Sequence, residues 1–330
     1  MRTKTFTSVM ILALVAGYIN VSATVWRVNP TPNSSANYST LQAAHDAATT
    51  VNNDTLYLEG SSFSAGGLII SKKLTIIGNG YFLAQNPQTQ YNISPSSFNS
   101  YVYCYAGSEG SKFIGCTFNY SVYIYTNNIT IERNYFGYSA NNAIYSQTSC
   151  SDILILNNYF DNYYGYQSLN FNQTHSNILI ANNYFNGYVS VSPNFSGIFA
   201  NNIFSYPVTI YNSTLVNNIS LYSADLYNCI ATYNIGNSTQ FGTLNGNQQN
   251  VPASALFVGL TGNSTDGQWQ LKPGSPAIGA GEGGTDIGMF GGEYPYVLSG
   301  LPPIPAIYSL DAQSLPSNTL DVNLKAKSHN

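Results

Sequence analysis

Charge is what this chain has least of. Of 330 residues, 10 are Lys or Arg and 14 are Asp or Glu, a charged fraction of 7%, against about a quarter in an average soluble domain. No Lys or Arg occurs between Arg133 and Lys272. With a net charge of -4, nothing is basic enough to hold nucleic acid or an anionic membrane surface. Cysteine is scarce too: Cys104, Cys116, Cys150 and Cys229 show no zinc-ligand spacing. Cys104 and Cys116, on neighbouring repeats, suit either a disulfide or two buried thiols. No Asp-x-Asp or tight acidic cluster marks a calcium site, so neither metal nor other cofactor is expected. Long apolar runs are missing as well. The run over residues 9–17 follows the cationic Arg2 and Lys4 and precedes Val21-Ser22-Ala23. That is the layout of a secretory signal peptide over residues 1–23, cleaved after Ala23. The run is about half the ~20 residues a membrane span needs, and no later segment is long enough, so no span is expected in the mature chain.

What the chain has in abundance is one repeated line. Ile153-Leu154-Ile155-Leu156-Asn157-Asn158-Tyr159-Phe160 returns as Ile178-Leu179-Ile180-Ala181-Asn182-Asn183-Tyr184-Phe185. Weaker copies begin at Ile129 and Gly197, and fainter ones at Ser111 and Ser213. Successive copies lie 18, 24, 25, 19 and 16 residues apart, and a period near about twenty marks a solenoid. Ile153 and Ile155 alternate, so they share one face of a short strand. Asn tolerates the left-handed backbone of a sharp corner. Coils stacked about 4.8 Å apart bring like residues into columns. Asn134, Asn158, Asn183 and Asn202 are then expected to form an amide ladder, with Phe136, Phe160, Phe185 and Phe204 as an inward column. Leucine-rich repeats share this core but return through a helix or 3₁₀ segment. Here residues 161–172 are rich in Tyr, Asn and Gly and poor in helix formers. The fold class expected is all-β: a parallel β-helix, one domain over residues 24–292.

Ahead of the coils, residues 38–48 read as a helix. Ser39 or Thr40 caps it, and Leu41, Ala44 and Ala48 share one side. A solenoid needs its first coil covered, so this helix is read as a lid. His45 within it is read as a surface or capping residue rather than a ligand. Residues 54–58 and 73–78 alternate as strands, and residues 236–250 read as a long loop.

Residues 38–81 carry Thr40-Leu41-Gln42-Ala43-Ala44-His45-Asp46, then Asp54-Thr55-Leu56-Tyr57-Leu58, then Lys73-Leu74-Thr75-Ile76-Ile77-Gly78. This stretch resembles the N-terminal cap of secreted bacterial β-helix proteins of the pectate-lyase-like superfamily. Asp266-Gly267-Gln268-Trp269 and the residues to Gly281, followed by Thr285-Asp286-Ile287-Gly288, are similar to the closing coils of the same group. The resemblance covers residues 25–292 and implies a right-handed solenoid. It leaves activity open, because the group includes lyases, hydrolases, esterases and non-catalytic proteins.

Lyases of that group use an Arg or Lys base, and the gap after Arg133 removes most candidates. Arg133 stands where other copies carry Asn157, Asn182 and Asn201, and reads as a corner residue paired with Glu132. A glycoside hydrolase needs two carboxylates about 5–9.5 Å apart. The central coils offer Glu132, Asp152, Asp161 and Asp225. Asp152 is level with Asn128 and Asn177, a turn position, and column arithmetic separates it from Glu132 by about 13 Å. Were the chain an enzyme, Glu132, Arg133, Asp152 and Asp161 would carry the chemistry. His175 sits at a corner without the Ser and acid of a triad. Tyr135, Tyr159 and Tyr184 fill the outward slot and are expected to stack, either to bind a glycan or only to stabilise the sheet. The reading is a secreted or cell-surface protein with a structural, adhesive or carbohydrate-binding role, its partners glycans or another surface protein. The rival is a polysaccharide lyase or glycoside hydrolase.

The tail, residues 293–330, alternates over 306–310 and 320–325 and is too apolar for a free linker. Leu154, Leu156, Leu179, Ala181, Ile198, Ala200 and Val216 form an outward apolar stripe on the repeat. Leu301, Ile304, Ile307, Leu310 and Leu320 of the tail are expected to cover it, unless a partner does.

Overall fold

The structure, a computed structural model, describes residues 23–137, 142–162, 165–314 and 319–328. The leader expected over residues 1–23 lies outside these, save its last residue. Most of these residues form a right-handed parallel β-helix with three sheets of ten, eight and eight strands, each complete coil adding one strand to each sheet. In a central coil the chain runs along the first sheet as Cys150–Leu156, turns at Asn157 and Asn158, adds Tyr159–Phe160 to the second sheet and Gln167–Phe171 to the third. Pairing is in register, with Ile131 beside Ile155 and Ile155 beside Ile180. The inward column of the second sheet is aromatic from Phe98 to Phe204 and ends in Ser220 and Gly236. Phe98, Phe118, Phe136, Phe160 and Phe185 stack with centroids 4.7–5.0 Å apart, one coil further than the repeat reveals.

The corner between the first and second sheets divides its work between two residues. The first takes the left-handed backbone: Gly115, Arg133, Asn157, Asn182, Asn201, Asn217 and Tyr233 all have φ between 54° and 68°. The second turns inward and builds the ladder. The amide of Asn134 donates to Asn158 Oδ1, Asn158 to Asn183, Asn183 to Asn202, Asn202 to Asn218, Asn218 to Asn234 and Asn234 to Asn247, all at 2.9–3.1 Å. Each amide also donates to a first-sheet carbonyl of the preceding coil, as Asn158 does to Ile131 O at 2.8 Å. These are buried polar groups with their hydrogen bonds filled, which is what lets amides run through an apolar core.

The N-terminal lid is a short helix, Leu41–Asp46, with Thr40 Oγ1 accepting from Ala43 N. Leu41 and Ala44 seal the core beneath it. His45 is not a surface residue. It is buried, its Nε2 accepting from Ser71 N at 3.1 Å, and it ties the lid to the first coils. At the other end, residues 236–250 are more than a loop: Asn247 terminates the ladder and Phe241 enters the edge of the core.

Residues 251–302 do not add coils at the end of the solenoid. They turn back along it, because the first corner residue of each coil reaches out to hold them. Asn217 Oδ1 accepts from Glu282 N (2.9 Å), and Asn201 Nδ2 donates to Asp286 O (3.1 Å). Asn182 Nδ2 donates to Met289 O and Gly291 O (2.9 and 2.7 Å), and Asn157 Nδ2 to Tyr294 O (3.2 Å). Arg133 Nη1 reaches Leu301 O at 2.9 Å. This strap covers the outer face of the second sheet rather than the apolar stripe of the first, where Ile198 remains 46% exposed. Leu301 is buried, whereas Ile307, Leu310 and Leu320 stand in a separate antiparallel hairpin, Ala306–Ser314 with Leu320–Lys327, and are exposed.

Candidate functional site

Tyr135, Tyr159 and Tyr184 do stack in register on the second sheet, with centroids 6.2 and 4.5 Å apart. Tyr159 and Tyr184 offer no face to a sugar, while Tyr135 is half-buried and edges a shallow cleft with Phe82 and Gln85. Tyr159 and Tyr184 are 3% and 4% exposed, because Phe82, Trp269 and the strap lie over them. Their hydroxyls are spent internally: Tyr135 donates to Asp161 Oδ2, Tyr159 to Thr265 O, and Tyr184 bonds Ser205 Oγ. Burial pushes all three phenols above their ordinary range. The second layer is pinned by Asp266, a fully buried carboxylate. It accepts from Asn86 Nδ2, Ser264 Oγ, Tyr296 OH and Ser299 N, at 3.0, 2.8, 3.3 and 2.6 Å.

The acids of the central coils stand in three different settings. Glu132 pairs with Arg133 at 3.3 Å on the first sheet. Burial pulls the Arg133 guanidinium somewhat below its usual value, and its other end holds the strap. Asp152 sits in a left-handed corner, φ 61°, accepting from Ser151 Oγ and Asn177 Nδ2, which hold its carboxyl below the usual range. Asp161, past the second sheet, takes Tyr135 OH and Asn186 Nδ2. Each is explained by a corner or a ring that it ties down. His175 is buried between Phe171 and Phe195, and burial lowers its pKa. The four cysteines are unbonded. Cys104 points inward from the third sheet while Cys116 heads the Asn ladder, giving Asn134 its backbone N–H. Among the described residues no three His, Cys, Asp or Glu side chains cluster as metal ligands.

The open aromatic surface is elsewhere, on the third sheet. In Val102–Cys104 and Val122–Ile124 the flanking residues point inward and the central tyrosine outward. Tyr103 lies beside Tyr123, and Tyr123 beside Tyr145. Tyr105 and Tyr125 form a second row. The two rows stack at 5.0 Å (Tyr103–Tyr123) and 5.1 Å (Tyr105–Tyr125), and neighbours within a coil are nearly parallel, 9° and 4° between planes. Tyr101 closes the side, edge-on to Tyr120 and Tyr123. Partial burial and the neighbouring phenols raise Tyr123 and Tyr125, so their hydroxyls remain protonated donors. Along the same column Tyr145 is followed by Asn170, Ser190, Thr209 and Asp225. Asp225 lies at an open cleft of about 450 Å³ with Tyr222, Asn237 and Gln240. The signal was present as the alternation Tyr101-Val102-Tyr103-Cys104-Tyr105, but it falls outside the Asn-centred repeat. Comparison of the chain with protein-family models, curated proteins and solved structures finds no match.

Proposed function

We propose that this chain is a secreted or cell-surface β-helix, akin to the pectate-lyase-like group, that binds an extended neutral polysaccharide without cleaving it. The observation that carries this reading is the outward tyrosine array of the third sheet, running into Asn170, Ser190 and Thr209. Tyrosine combines apolar contact area with a hydroxyl, and polar amides and hydroxyls beside it supply the hydrogen bonds that orient a sugar. The array repeats once per coil, 5.0 Å between Tyr103 and Tyr123, so a regular polymer can make the same contact at each step. A uronate polymer fits poorly. The net charge is -4, and the coils that carry Asn170 to Asp225 contain no Lys or Arg.

The test is retention on insoluble and arrayed neutral polysaccharides, with assays for reducing ends and unsaturated products run in parallel. Tyr103→Ala combined with Tyr123→Ala should weaken binding at least about tenfold, as aromatic anchors do, while the chain stays cooperatively folded with only a modest drop in melting temperature. Binding that survives this pair, or no retention on any glycan, sinks the proposal.

A further inference from the structure

The C-terminal hairpin carries an apolar side into water. Directly opposite residues of an antiparallel pair share a face. Leu310 stands opposite Leu324, Ala312 opposite Val322 and Ser314 opposite Leu320, with Ile307 opposite Ala326 beyond a bulge. The other face holds Ser309 opposite Lys325, Asp311 opposite Asn323 and Gln313 opposite Asp321. The first side is therefore apolar except for Ser314 at its far end, yet Leu320, Val322 and Leu324 are 64%, 50% and 51% exposed. A lone two-stranded hairpin is marginal in water; it needs a third strand or a packed face to persist.

The solenoid does not supply that face. The hairpin meets it at its base, where Tyr91 N donates to Ile307 O at 2.7 Å and Lys327 Nζ to Gln88 Oε1 at 3.3 Å. That places it beside the N-terminal coils, whereas the apolar stripe of the first sheet starts at Leu154.

We propose that the apolar side of this hairpin is the surface through which two copies of the chain pair. Ile307, Leu310, Leu320, Val322 and Leu324 are each 43–64% exposed. Two such sides meeting would cover them in both copies, near the lower bound of a specific interface, about 1,000 Å². The side is self-complementary: a two-fold axis through it sets the apolar side of one copy against the same side of the other, the pattern of an isologous contact. Two hairpins stacked face to face make a small sandwich at ordinary sheet spacing. Charge argues against a membrane as occupant. Asp311 and Asp321 balance Lys325 and Lys327, and an anionic bilayer is sought by a basic excess. Pairing would also double any glycan-binding face, so that weak contacts act together.

The experiment is light scattering and sedimentation of the full chain from low to high micromolar concentration. Wild type should run as a dimer. Leu324→Asp and Val322→Asp should each weaken pairing at least about tenfold, while Gln313→Asp on the polar face should not. Both sites are exposed, so melting of the solenoid should be unchanged, which separates lost pairing from misfolding. Val322→Cys should give a disulfide-linked dimer under oxidation. A wild-type monomer at every concentration overturns the proposal, as does a dimer untouched by both aspartates. So does a monomer that floats with anionic phospholipid vesicles, which would assign the face to lipid.

Discussion

The indole of Trp269 lies on the ring of Tyr184, 4.5 Å between centroids and 28° between planes. That stack is the centre of a second core, in which the strand-like outer face of a solenoid has been roofed by the chain's own returning segment. It explains why Tyr159 and Tyr184, outward tyrosines that look like part of a binding strip, are structural. It also explains the paired asparagines of the repeat: one faces in to the ladder and the other faces out to the roof.

Asn158 and Asn157 should therefore fail differently. Asn158→Ala removes an amide that accepts from Asn134 and donates to Ile131 O and Asn183. It leaves buried groups unpaired and should cost about 3 kcal/mol in denaturant unfolding. Asn157→Gly keeps the left-handed backbone free of strain and loses only the bond to Tyr294 O, at about 1 kcal/mol. Equal costs at the two positions would overturn the division of labour.

Truncation separates roof from hairpin. A chain ending at Pro302 keeps Tyr296 and Leu301, both buried, and should melt close to the full chain. One ending at Gly292 loses them together with Ser299, the backbone donor to Asp266. Losing them and uncovering the surface beneath them should cost about 5 kcal/mol. If the two truncations melt alike, the strap is not a stabilising layer.

Thiol chemistry reports the state of the cysteines. Burial pushes the Cys104 and Cys116 thiols far up, and Cys229 up to a lesser degree, so little thiolate exists near neutral pH. A thiol-specific reagent should label Cys229 slowly in the native protein and all four cysteines after denaturation without reductant. Labelling of only two in the denatured chain would mean that a disulfide had formed.

Arg133→Ala tests both the strap and the absence of catalysis. Loss of the charge-assisted bond to Leu301 O and of the pair with Glu132 should lower stability by about 2 kcal/mol. No uronate polymer should be cleaved by either form. Unsaturated product released by wild type and abolished in the variant would make Arg133 a base after all.

The coil was legible because a parallel stack makes neighbours of residues that are equivalent in successive coils. Ile155 meets Ile180 and Phe160 meets Phe185, so the packing demand recurs and the residue recurs with it. The third-sheet tyrosines were harder to place. Spacings of 16 to 25 residues reflect turns of unequal length beyond the second sheet, and counting from the Asn loses register across them. The similarity of residues 266–292 to closing coils was misleading in its placement. Those residues do close the molecule, but along its side.

By itself, then, the sequence determined the period, the inward columns and the corner, all of which depend on contacts one coil away. Only the tertiary structure decided which aromatic row meets water. Tyr159 and Tyr123 both point out of their coils, and nothing local distinguishes them. The path of residues 251–302 does, because bonds such as Asn182 to Met289 O join positions far apart in the chain that no repeat relates. Apolar surface is buried where the returning chain can reach it; the row it does not reach is left as the candidate binding face.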